Sequence, residues 1–127
     1  MNEKHILIAE DEQHLRLVMC LLLRQAGYQV TIAEDGVEAF CKIVECSEND
    51  NPIHLVITDI FMPKIDGLEL IDWLHAEEYN IPVIAISGYG NNRLLADLRC
   101  RGCMEYLDKP FVPEEMLDRI GKVLEMQ

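Results

Sequence analysis

The sequence is short of basic residues and has no long apolar run, and both shortages exclude classes of protein. Its 127 residues include 11 Lys and Arg against 23 Asp and Glu, a formal net charge of −12. Because nucleic-acid binding depends on clustered Lys and Arg, this charge disfavours a nucleic-acid partner, and it equally disfavours an anionic membrane surface. The apolar run at residues 6–9 is too short for a signal peptide, and no run approaches the roughly 18 residues that span a membrane. We therefore expect a cytoplasmic protein.

The cysteines provide no disulfide framework. Their number, five, is odd, and no secretory segment accompanies them. Cys100 and Cys103 form a C-x-x-C pair, which is compatible with a thioredoxin-like redox motif or with half of a zinc site. The sequence has no second such pair and no nearby His to complete a zinc site, so we favour two partly buried thiols beside a glycine turn. The four histidines show no metal-ligand spacing, and we interpret them as surface or strand-end residues.

The length and composition fit one domain with a core of its own, because 50% of the residues are hydrophobic and 27% are charged. Short apolar runs predict strands at 6–9, 55–57, 83–86 and 104–107, and alternation predicts a half-exposed edge strand at 28–33. Helical spacing of apolar residues predicts helices at 15–26, at 37–46, after Gly67, after Asn91 or Asn92, and from about Pro113. Strand and helix thus alternate five times, which predicts an α/β fold with a parallel sheet and helices on both faces.

Two finer expectations concern the connections and the last helix. The polar segment 47–52 is predicted to be a loop. The last helix is predicted to turn Leu117, Ile120 and Leu124 toward the core, because these residues recur at helical spacing.

Polar residues stand where the predicted strands end. Glu10 and Asp11 follow the first strand, Asp59 the third, Ser87 the fourth and Lys109 the fifth. Parallel sheets with helices on both faces bind ligands outside the carboxyl ends of their strands, so we expect these side chains to lie together. An isolated Asp at a strand end also caps helices or starts turns, and for Asp59 alone that alternative stays open.

The chemistry of this set is consistent with one site. Glu10, Asp11 and Asp59 repel one another at neutral pH, and a hard divalent cation relieves the repulsion. An all-oxygen site with few protein ligands suits Mg²⁺ or Mn²⁺. One of the carboxylates can then act as a nucleophile toward phosphorus. Lys109 would neutralise the phosphoryl oxygens, and the Ser87 hydroxyl would hydrogen-bond one of them.

These motifs resemble those of bacterial response-regulator receiver domains, the CheY-like superfamily of two-component signalling systems. The resemblance is carried by residues 6–12 (ILIAEDE), 59–67 (DIFMPKIDG), Ser87-Gly88 and 109–111 (KPF), in order and over essentially the whole chain. It implies a three-layer, doubly wound, flavodoxin-like fold with five parallel strands in the order 2-1-3-4-5 and five helices. It also implies that residues 1–127 form one phosphoacceptor domain, with no output domain in the given chain.

The resemblance implies a role for each residue of the site. Asp59 would accept a phosphoryl group from a phosphohistidine of a sensor histidine kinase or a histidine phosphotransfer protein. Asp11 would bind Mg²⁺ directly and Glu10 mainly through a water, with the backbone carbonyl of Phe61 as a further ligand.

The resemblance also implies a switch. Ser87 would move toward the phosphoryl group, Lys109 would provide its counter-charge, and Tyr106 would swing inward. The Lys109–Pro110 bond is expected to be cis. The changed surface of the fourth helix, fifth strand and fifth helix would then bind a downstream protein target.

Two alternatives and one kinetic hypothesis accompany this interpretation. An aspartyl-phosphate phosphatase or phosphotransferase of the haloacid-dehalogenase type usually has an acid two residues after the nucleophile, where this chain has Phe61. A phosphorylation-independent interaction domain would be favoured by loss of the acidic residues or the lysine, which are all present. We expect no enzyme activity beyond self-phosphorylation and slow autodephosphorylation. Phe61 and Tyr89 are bulky, and neither is a carboxylate or amide able to orient an attacking water, so they are predicted to slow that decay.

Overall fold

The computed structural model describes residues 3–103 and 105–125, which contain five strands and five helices in strict alternation. The strands are β1 (His5–Ala9), β2 (Gln29–Ala33), β3 (Leu55–Asp59), β4 (Val83–Ser87) and β5 (Glu105–Asp108). The helices are α1 (Gln13–Gln25), α2 (Gly36–Glu48), α3 (Gly67–Ala76), α4 (Asn92–Cys100) and α5 (Pro113–Glu125). All strand pairs are parallel, in the order β2-β1-β3-β4-β5. The predicted flavodoxin-like α/β fold and its strand order are confirmed.

The sheet is buried on both faces by two sets of helices. Successive residues of β1 point to opposite sides, so Ile6 and Ile8 pack with α1 and α5 while Leu7 and Ala9 pack with α2 and α3. Every residue of β1 and of β3 is buried, as expected for central strands covered on both faces. β2 lies at the edge and is partly exposed, as its alternating sequence predicts.

Side-chain caps fix where the helices begin. Asp35 caps α2 by accepting the backbone N–H of Glu38, and Asn91 caps α4 in the same way from Leu94. Asp66 and Glu69 form a reciprocal capping box at the start of α3. Asp66 is therefore the capping residue of α3.

The structure corrects the sequence-based boundaries at several points. α2 continues through Ser47 and Glu48, so the predicted loop at 47–52 begins two residues later, where Asn49 still donates its N–H to the carbonyl of Glu45. The buried face of α5 is formed by Met116, Ile120 and Val123. Leu117 and Leu124 pack only partly against the same core. The predicted start of the fifth strand, Met104, lies outside the described residues.

His5 was expected at the surface or a strand end, and it lies at the start of β1 but is buried, with only 1% of its surface exposed. The ring keeps its polar atoms paired: Nε2 lies 2.6 Å from Thr31 Oγ1 and Nδ1 lies 3.2 Å from the Asn51 carbonyl oxygen. The backbone N–H of His5 also donates to His54 Nδ1 at 2.9 Å. This polar cluster is at the amino-terminal edge of the sheet, where the strands begin.

The two cysteines of the C-x-x-C pair differ in exposure. Cys100 is exposed and Cys103 is buried, and both are free thiols. They flank Gly102, whose φ of +82° makes the turn between α4 and β5. Burial raises the pKa of the Cys103 thiol, which disfavours the reactive thiolate.

Two further observations bear on the outside of the molecule. Among the described helices, none is both long and apolar enough to cross a membrane. Trp73 on α3 packs edge-on against Phe40 of α2, with ring centroids 5.3 Å apart and planes at 84°. Trp73 nevertheless remains 38% exposed.

Candidate functional site

Three carboxylates meet at the carboxyl edge of the sheet because β1 and β3 are parallel neighbours. Glu10 and Asp11 directly follow β1, and Asp59 is the last residue of β3. Carboxylate oxygens of the three side chains lie within 4.8 Å of one another. Within residues 3–103 and 105–125, they are the one group of three His, Cys, Asp or Glu side chains close enough to share an ion. Glu10 and Asp59 are buried, whereas Asp11 is exposed at the mouth of the site.

Lys109 joins the two buried carboxylates. Its Nζ lies 2.7 Å from Asp59 Oδ2 and 2.8 Å from Glu10 Oε1. The backbone N–H of Lys109 donates to the Ser87 carbonyl at 3.0 Å, which extends the β4–β5 pairing beyond the last residue of β5. The Lys109–Pro110 peptide bond is cis, as predicted. Burial alone would lower the pKa of Lys109, but the hydrogen bond to Asp59 and the negative charges of Asp59 and Glu10 raise it above its ordinary value.

Glu10 is held in an unfavourable electrostatic environment. Burial raises the pKa of Glu10 to about 7, and repulsion from Asp59 adds to this effect. Contact with Lys109 and a hydrogen bond from the Glu12 backbone N–H to Oε2 act in the opposite direction. Glu10 Oε1 receives no aligned hydrogen bond from any described residue, although Lys109 Nζ is close.

This donor set fits a hard divalent cation. A buried carboxylate oxygen with no aligned donor faces two further carboxylates, and all the available atoms are oxygens. Mg²⁺ takes such a set with the remaining positions filled by water. Glu10, Asp11 and Asp59 would hold the cation.

The loop after β3 is fixed by Gly67, the first residue of α3. A Cβ on this residue would lie 2.6 Å from the Asp59 carbonyl oxygen and 2.9 Å from Ile60 Cα. Non-bonded carbon atoms prefer about 3.5–4.0 Å, so a larger residue would push the helix away from Asp59. The N–H of Gly67 donates to the Ile60 carbonyl at 2.8 Å, which closes the loop beside the carboxylates.

Ser87 and Tyr106 meet through the backbone. Ser87 is fully buried, and its Oγ accepts the backbone N–H of Tyr89 at 3.0 Å. The Tyr106 hydroxyl donates to the Ser87 carbonyl oxygen at 3.1 Å. Burial, with repulsion from Asp108, raises the pKa of Tyr106. The family resemblance implies coupled movements of these two residues, but it does not imply this hydrogen bond.

Phe61 and Tyr89 form an exposed aromatic pair at the rim of the site. Their ring centroids lie 5.9 Å apart with planes at 79°, an edge-to-face contact between the loops that follow β3 and β4. The side chains are 53% and 78% exposed. Their backbone N–H groups both point into the site, that of Phe61 to Asp59 Oδ1 at 3.3 Å and that of Tyr89 to Ser87 Oγ.

Arg16 is a supporting residue that sequence reasoning missed. It is buried on α1, and its guanidinium donates to the Glu10 carbonyl oxygen at 2.9 Å. Nη2 lies 3.4 Å from Glu34 Oε1. The guanidinium thereby holds the backbone that carries Glu10 and Asp11. Its main partner is a backbone carbonyl, which leaves no pattern in the sequence.

Comparison with known proteins identifies relatives of the whole chain. Residues 6–121 match the family described as response regulator receiver domain. The chain is 31% identical over 121 residues to response regulator receiver protein CpdR of Brucella abortus, covering 95% of this chain and 97% of CpdR. A CheY-like response regulator receiver domain protein from Methanospirillum hungatei has a crystal structure with a TM-score of 0.88 at 26% identity, covering 98% of this chain and 96% of that one.

A longer relative shows that such a domain also occurs as part of a larger protein. The chain is 31% identical over 125 residues to the C4-dicarboxylate transport transcriptional regulatory protein DctD of Pseudomonas aeruginosa. This match covers 98% of the chain but only 26% of DctD, so the chain spans about a quarter of that relative.

Proposed function

The chain belongs to the response regulator receiver domain family of two-component systems, and on that basis we propose that Asp59 accepts a phosphoryl group from a phosphohistidine. The observation that carries the proposal is the position of Asp59. Its carboxylate lies within 4.8 Å of the Glu10 and Asp11 carboxylates and 2.7 Å from the ammonium of Lys109. A carboxylate in contact with a fixed cation and a divalent-cation site is suited to attack phosphorus.

The transfer is a single displacement at phosphorus. A carboxylate oxygen of Asp59 forms the new P–O bond while the P–N bond of the phosphohistidine breaks. The electron pair of that bond stays on the ring, whose other nitrogen has gained a proton from solvent, so the ring leaves as neutral imidazole. Lys109 stays protonated and neutralises part of the phosphoryl charge, which its raised pKa favours. When bound at Glu10, Asp11, Asp59 and the Phe61 carbonyl, Mg²⁺ or Mn²⁺ supplies further charge neutralisation.

The phosphorylated domain then signals by a change of packing. In the unphosphorylated structure, the Ser87 hydroxyl accepts the Tyr89 N–H. Its own proton can therefore turn toward a phosphoryl oxygen. Movement of the hydroxyl displaces the loop 88–90 and the Ser87 carbonyl to which Tyr106 is bonded. The rearrangement reaches the surface of α4, β5 and α5, where a downstream protein binds. Such a response is a shift of population between two arrangements of the same side chains.

The lifetime of the phosphoryl group depends on the aromatic pair. Phe61 and Tyr89 stand at the rim of the site, and neither can orient a water by hydrogen bonding in the way that a carboxylate or amide can. The phosphorylated protein therefore loses its phosphoryl group slowly by autodephosphorylation. It turns over no external substrate.

The phosphohistidine comes from a sensor histidine kinase or a histidine phosphotransfer protein. An apolar recess of about 430 Å³ lies directly beside Lys109. Leu15 and Val18 of α1 line one side and Pro110 and Phe111 line the other. A partner helix with apolar residues beside its histidine would bind there and present the ring to Asp59.

Phosphorylation by a small phosphodonor tests the proposal. The protein is incubated with acetyl phosphate with Mg²⁺ or with EDTA, and its intact mass is measured. We expect the gain of one phosphoryl group that requires Mg²⁺ and disappears in Asp59→Asn. Asp66→Asn is the matched control, because Asp66 lies in the same loop and Asn also caps helices. A gain that persists in Asp59→Asn, or no gain in the wild type, would overturn the proposal.

A further inference from the structure

Tyr106 occupies space that exists because residue 90 has no side chain. A Cβ on Gly90 would overlap the Tyr106 hydroxyl oxygen and would lie 2.7 Å from Cζ and 3.1 Å from Cε2. Non-bonded carbon atoms prefer about 3.5–4.0 Å. The phenol of Tyr106 therefore fits against the bare Cα of Gly90, in the position that lets its hydroxyl reach the Ser87 carbonyl.

The backbone at residue 90 does not itself require glycine. Among the described glycines, those in the left-handed region are Gly27 and Gly102. Alanine at position 90 would therefore not meet the strain of a positive φ. The obstacle to a Cβ is the side chain of Tyr106.

The loop is held more firmly than the ring. On one side of Gly90, the Tyr89 N–H is bonded to Ser87 Oγ. On the other side, Asn91 caps α4 through Leu94 at 2.9 Å and its carbonyl accepts from Leu95 at 3.0 Å. The phenol of Tyr106, by contrast, is the far end of a partly exposed side chain that turns about two torsions. If a Cβ at position 90 and the Tyr106 ring cannot occupy the same space, we expect the ring to move and the loop to stay.

From this geometry we infer that Gly90 is the positioning residue for Tyr106. Because Gly90 has no Cβ, the Tyr106 hydroxyl can reach the Ser87 carbonyl oxygen. Any larger residue at position 90 displaces the ring outward. The consequence for signalling rests on the proposed function: with the ring displaced, movement of Ser87 upon phosphorylation no longer reaches Tyr106. Gly90 thus determines whether the two residues respond together.

The same loop provides a matched control. A Cβ on Gly88 would lie 3.7 Å from Lys109 Cβ, an ordinary van der Waals contact. Gly88→Ala and Gly90→Ala remove the same backbone freedom from the unfolded chain. A difference between the two variants therefore reports the contact of residue 90 with Tyr106.

The first experiment uses the unphosphorylated protein and needs no phosphodonor. The four tyrosines are replaced by 3-fluorotyrosine, and the ¹⁹F resonances of Tyr106 and Tyr89 are assigned with Tyr106→Phe and Tyr89→Phe. In Gly90→Ala, we expect the Tyr106 resonance to move toward that of free fluorotyrosine and to gain solvent isotope sensitivity. In Gly88→Ala, it should stay at its wild-type position. An unchanged Tyr106 resonance in Gly90→Ala would overturn the inference.

A double-mutant cycle gives an independent measurement. The shift in urea midpoint caused by Gly90→Ala is measured in the wild type and in the Tyr106→Ala background. We expect a lower midpoint in the wild type and, with Tyr106 truncated, a shift equal to that of Gly88→Ala. Equal effects of Gly90→Ala in both backgrounds would show that the ring is not the obstacle.

A third measurement separates this inference from the proposed function. After acetyl phosphate treatment, the Tyr106 resonance should change in the wild type and in Gly88→Ala but stay unchanged in Gly90→Ala. An equal change in Gly90→Ala would overturn the role of Gly90 in the response. If no variant gains a phosphoryl group, the proposed function fails, whereas the two experiments on unphosphorylated protein still decide the placement of Tyr106.

Discussion

Lys109 and Asp59, which are 50 residues apart in the chain, form an ion pair with Nζ 2.7 Å from Oδ2 at the carboxyl edge of the sheet. The same ammonium lies 2.8 Å from Glu10 and so serves two buried carboxylates at once. A divalent cation bound there would share these carboxylates with the lysine. The negative charge of Glu10 and Asp59 would then be balanced jointly by the Lys109 ammonium and the divalent cation.

Removal of the Lys109 side chain should make the stability of the protein depend on bound Mg²⁺. In the metal-free state, we expect Lys109→Met to lower the free energy of unfolding by about 1–3 kcal/mol, because buried Glu10 and Asp59 lose their counter-charge. Saturating Mg²⁺ should restore most of this loss. Urea unfolding with and without Mg²⁺ measures both effects. Lys122→Met is the control, since Lys122 pairs with Asp118 on the exposed face of α5, and a loss that Mg²⁺ does not reduce would contradict the prediction.

Asp11 should determine the affinity for the metal. It is the exposed member of the three carboxylates, so its substitution leaves the buried pair around Lys109 intact. At a Mg²⁺ concentration 100 times the wild-type Kd, bound metal stabilises the wild type by about 2.7 kcal/mol, and a tenfold weaker Asp11→Asn variant retains about 1.4 kcal/mol. Thermal unfolding over a Mg²⁺ titration checks this, with Asp66→Asn expected to match the wild type. Equal Mg²⁺ responses in Asp11→Asn and wild type would place the metal elsewhere.

The aromatic pair should control how long Asp59 stays phosphorylated. We expect Phe61→Asn and Tyr89→Glu each to accelerate loss of the phosphoryl group by about two- to tenfold, the range that corresponds to the free energy of one edge-to-face contact. Each change also introduces a group that can orient water. Decay of the purified phosphoprotein in Mg²⁺ is the measurement. Leu21→Asn, an equally exposed position on α1, should leave the decay rate unchanged, and fast wild-type decay that neither variant accelerates would contradict the prediction.

Gly67 should not tolerate a side chain. A Cβ there meets the Asp59 carbonyl oxygen at 2.6 Å, so Gly67→Ala is expected to lower the free energy of unfolding by about 1–3 kcal/mol through overpacking. It should also slow phosphorylation, because the strain falls on the residue that carries the phosphoryl group. Gly121→Ala on α5 is the control: a Cβ there meets nothing within 4 Å and should stabilise the helix by about 0.5–1 kcal/mol. If the two substitutions behave alike in urea unfolding, the close approach at Gly67 is not limiting.

Asp35 should make stability depend on pH in the acid range. The hydrogen bond from the Glu38 N–H, helped by Lys64 at 3.4 Å, lowers the pKa of Asp35 below its ordinary 3.8. A lowered pKa in the folded state means that the contribution is present above pH 3.8 and is lost as the pH falls through the folded pKa. Asp35→Asn keeps the cap but removes the charge, so it should be less stable than the wild type at pH 7, and the difference should disappear as the pH falls below the folded-state pKa of Asp35. Asp35→Ala should cost about 1 kcal/mol more, since it removes the cap as well. A constant difference between Asp35→Asn and wild type across this range would contradict the assignment.

The sequence predicts the site better than it predicts the surroundings of the site. Glu10, Asp59 and Lys109 are placed by strand ends, and parallel pairing brings strand ends together whatever the side chains are. The contact of Phe61 with Tyr89 depends instead on the conformations of two separate loops, which no periodic pattern encodes. Arg16 was missed for a related reason, because its partner is a backbone carbonyl.

Which side chains are buried also depends on partners that the sequence pattern does not specify. Helical spacing in α5 is satisfied by two overlapping sets of apolar residues, and only packing against the sheet selects Met116 and Val123 over Leu117 and Leu124. His5 has a polar side chain, which usually lies at the surface. Its burial is possible because Thr31 and the Asn51 carbonyl provide hydrogen-bond partners for both ring nitrogens. In both cases the deciding partner is distant in sequence.

Trp73 gives the domain a built-in optical probe. It is the one tryptophan of the sequence, and it lies six residues, or roughly 9 Å of helix, beyond the start of α3 that abuts Asp59. Its contact with Phe40 joins α2 and α3 and is lost when the chain unfolds, so we expect its emission to change on unfolding. Fluorescence therefore follows unfolding of every variant above without an added label, while mass and ¹⁹F spectra follow events at Asp59 and Tyr106 independently.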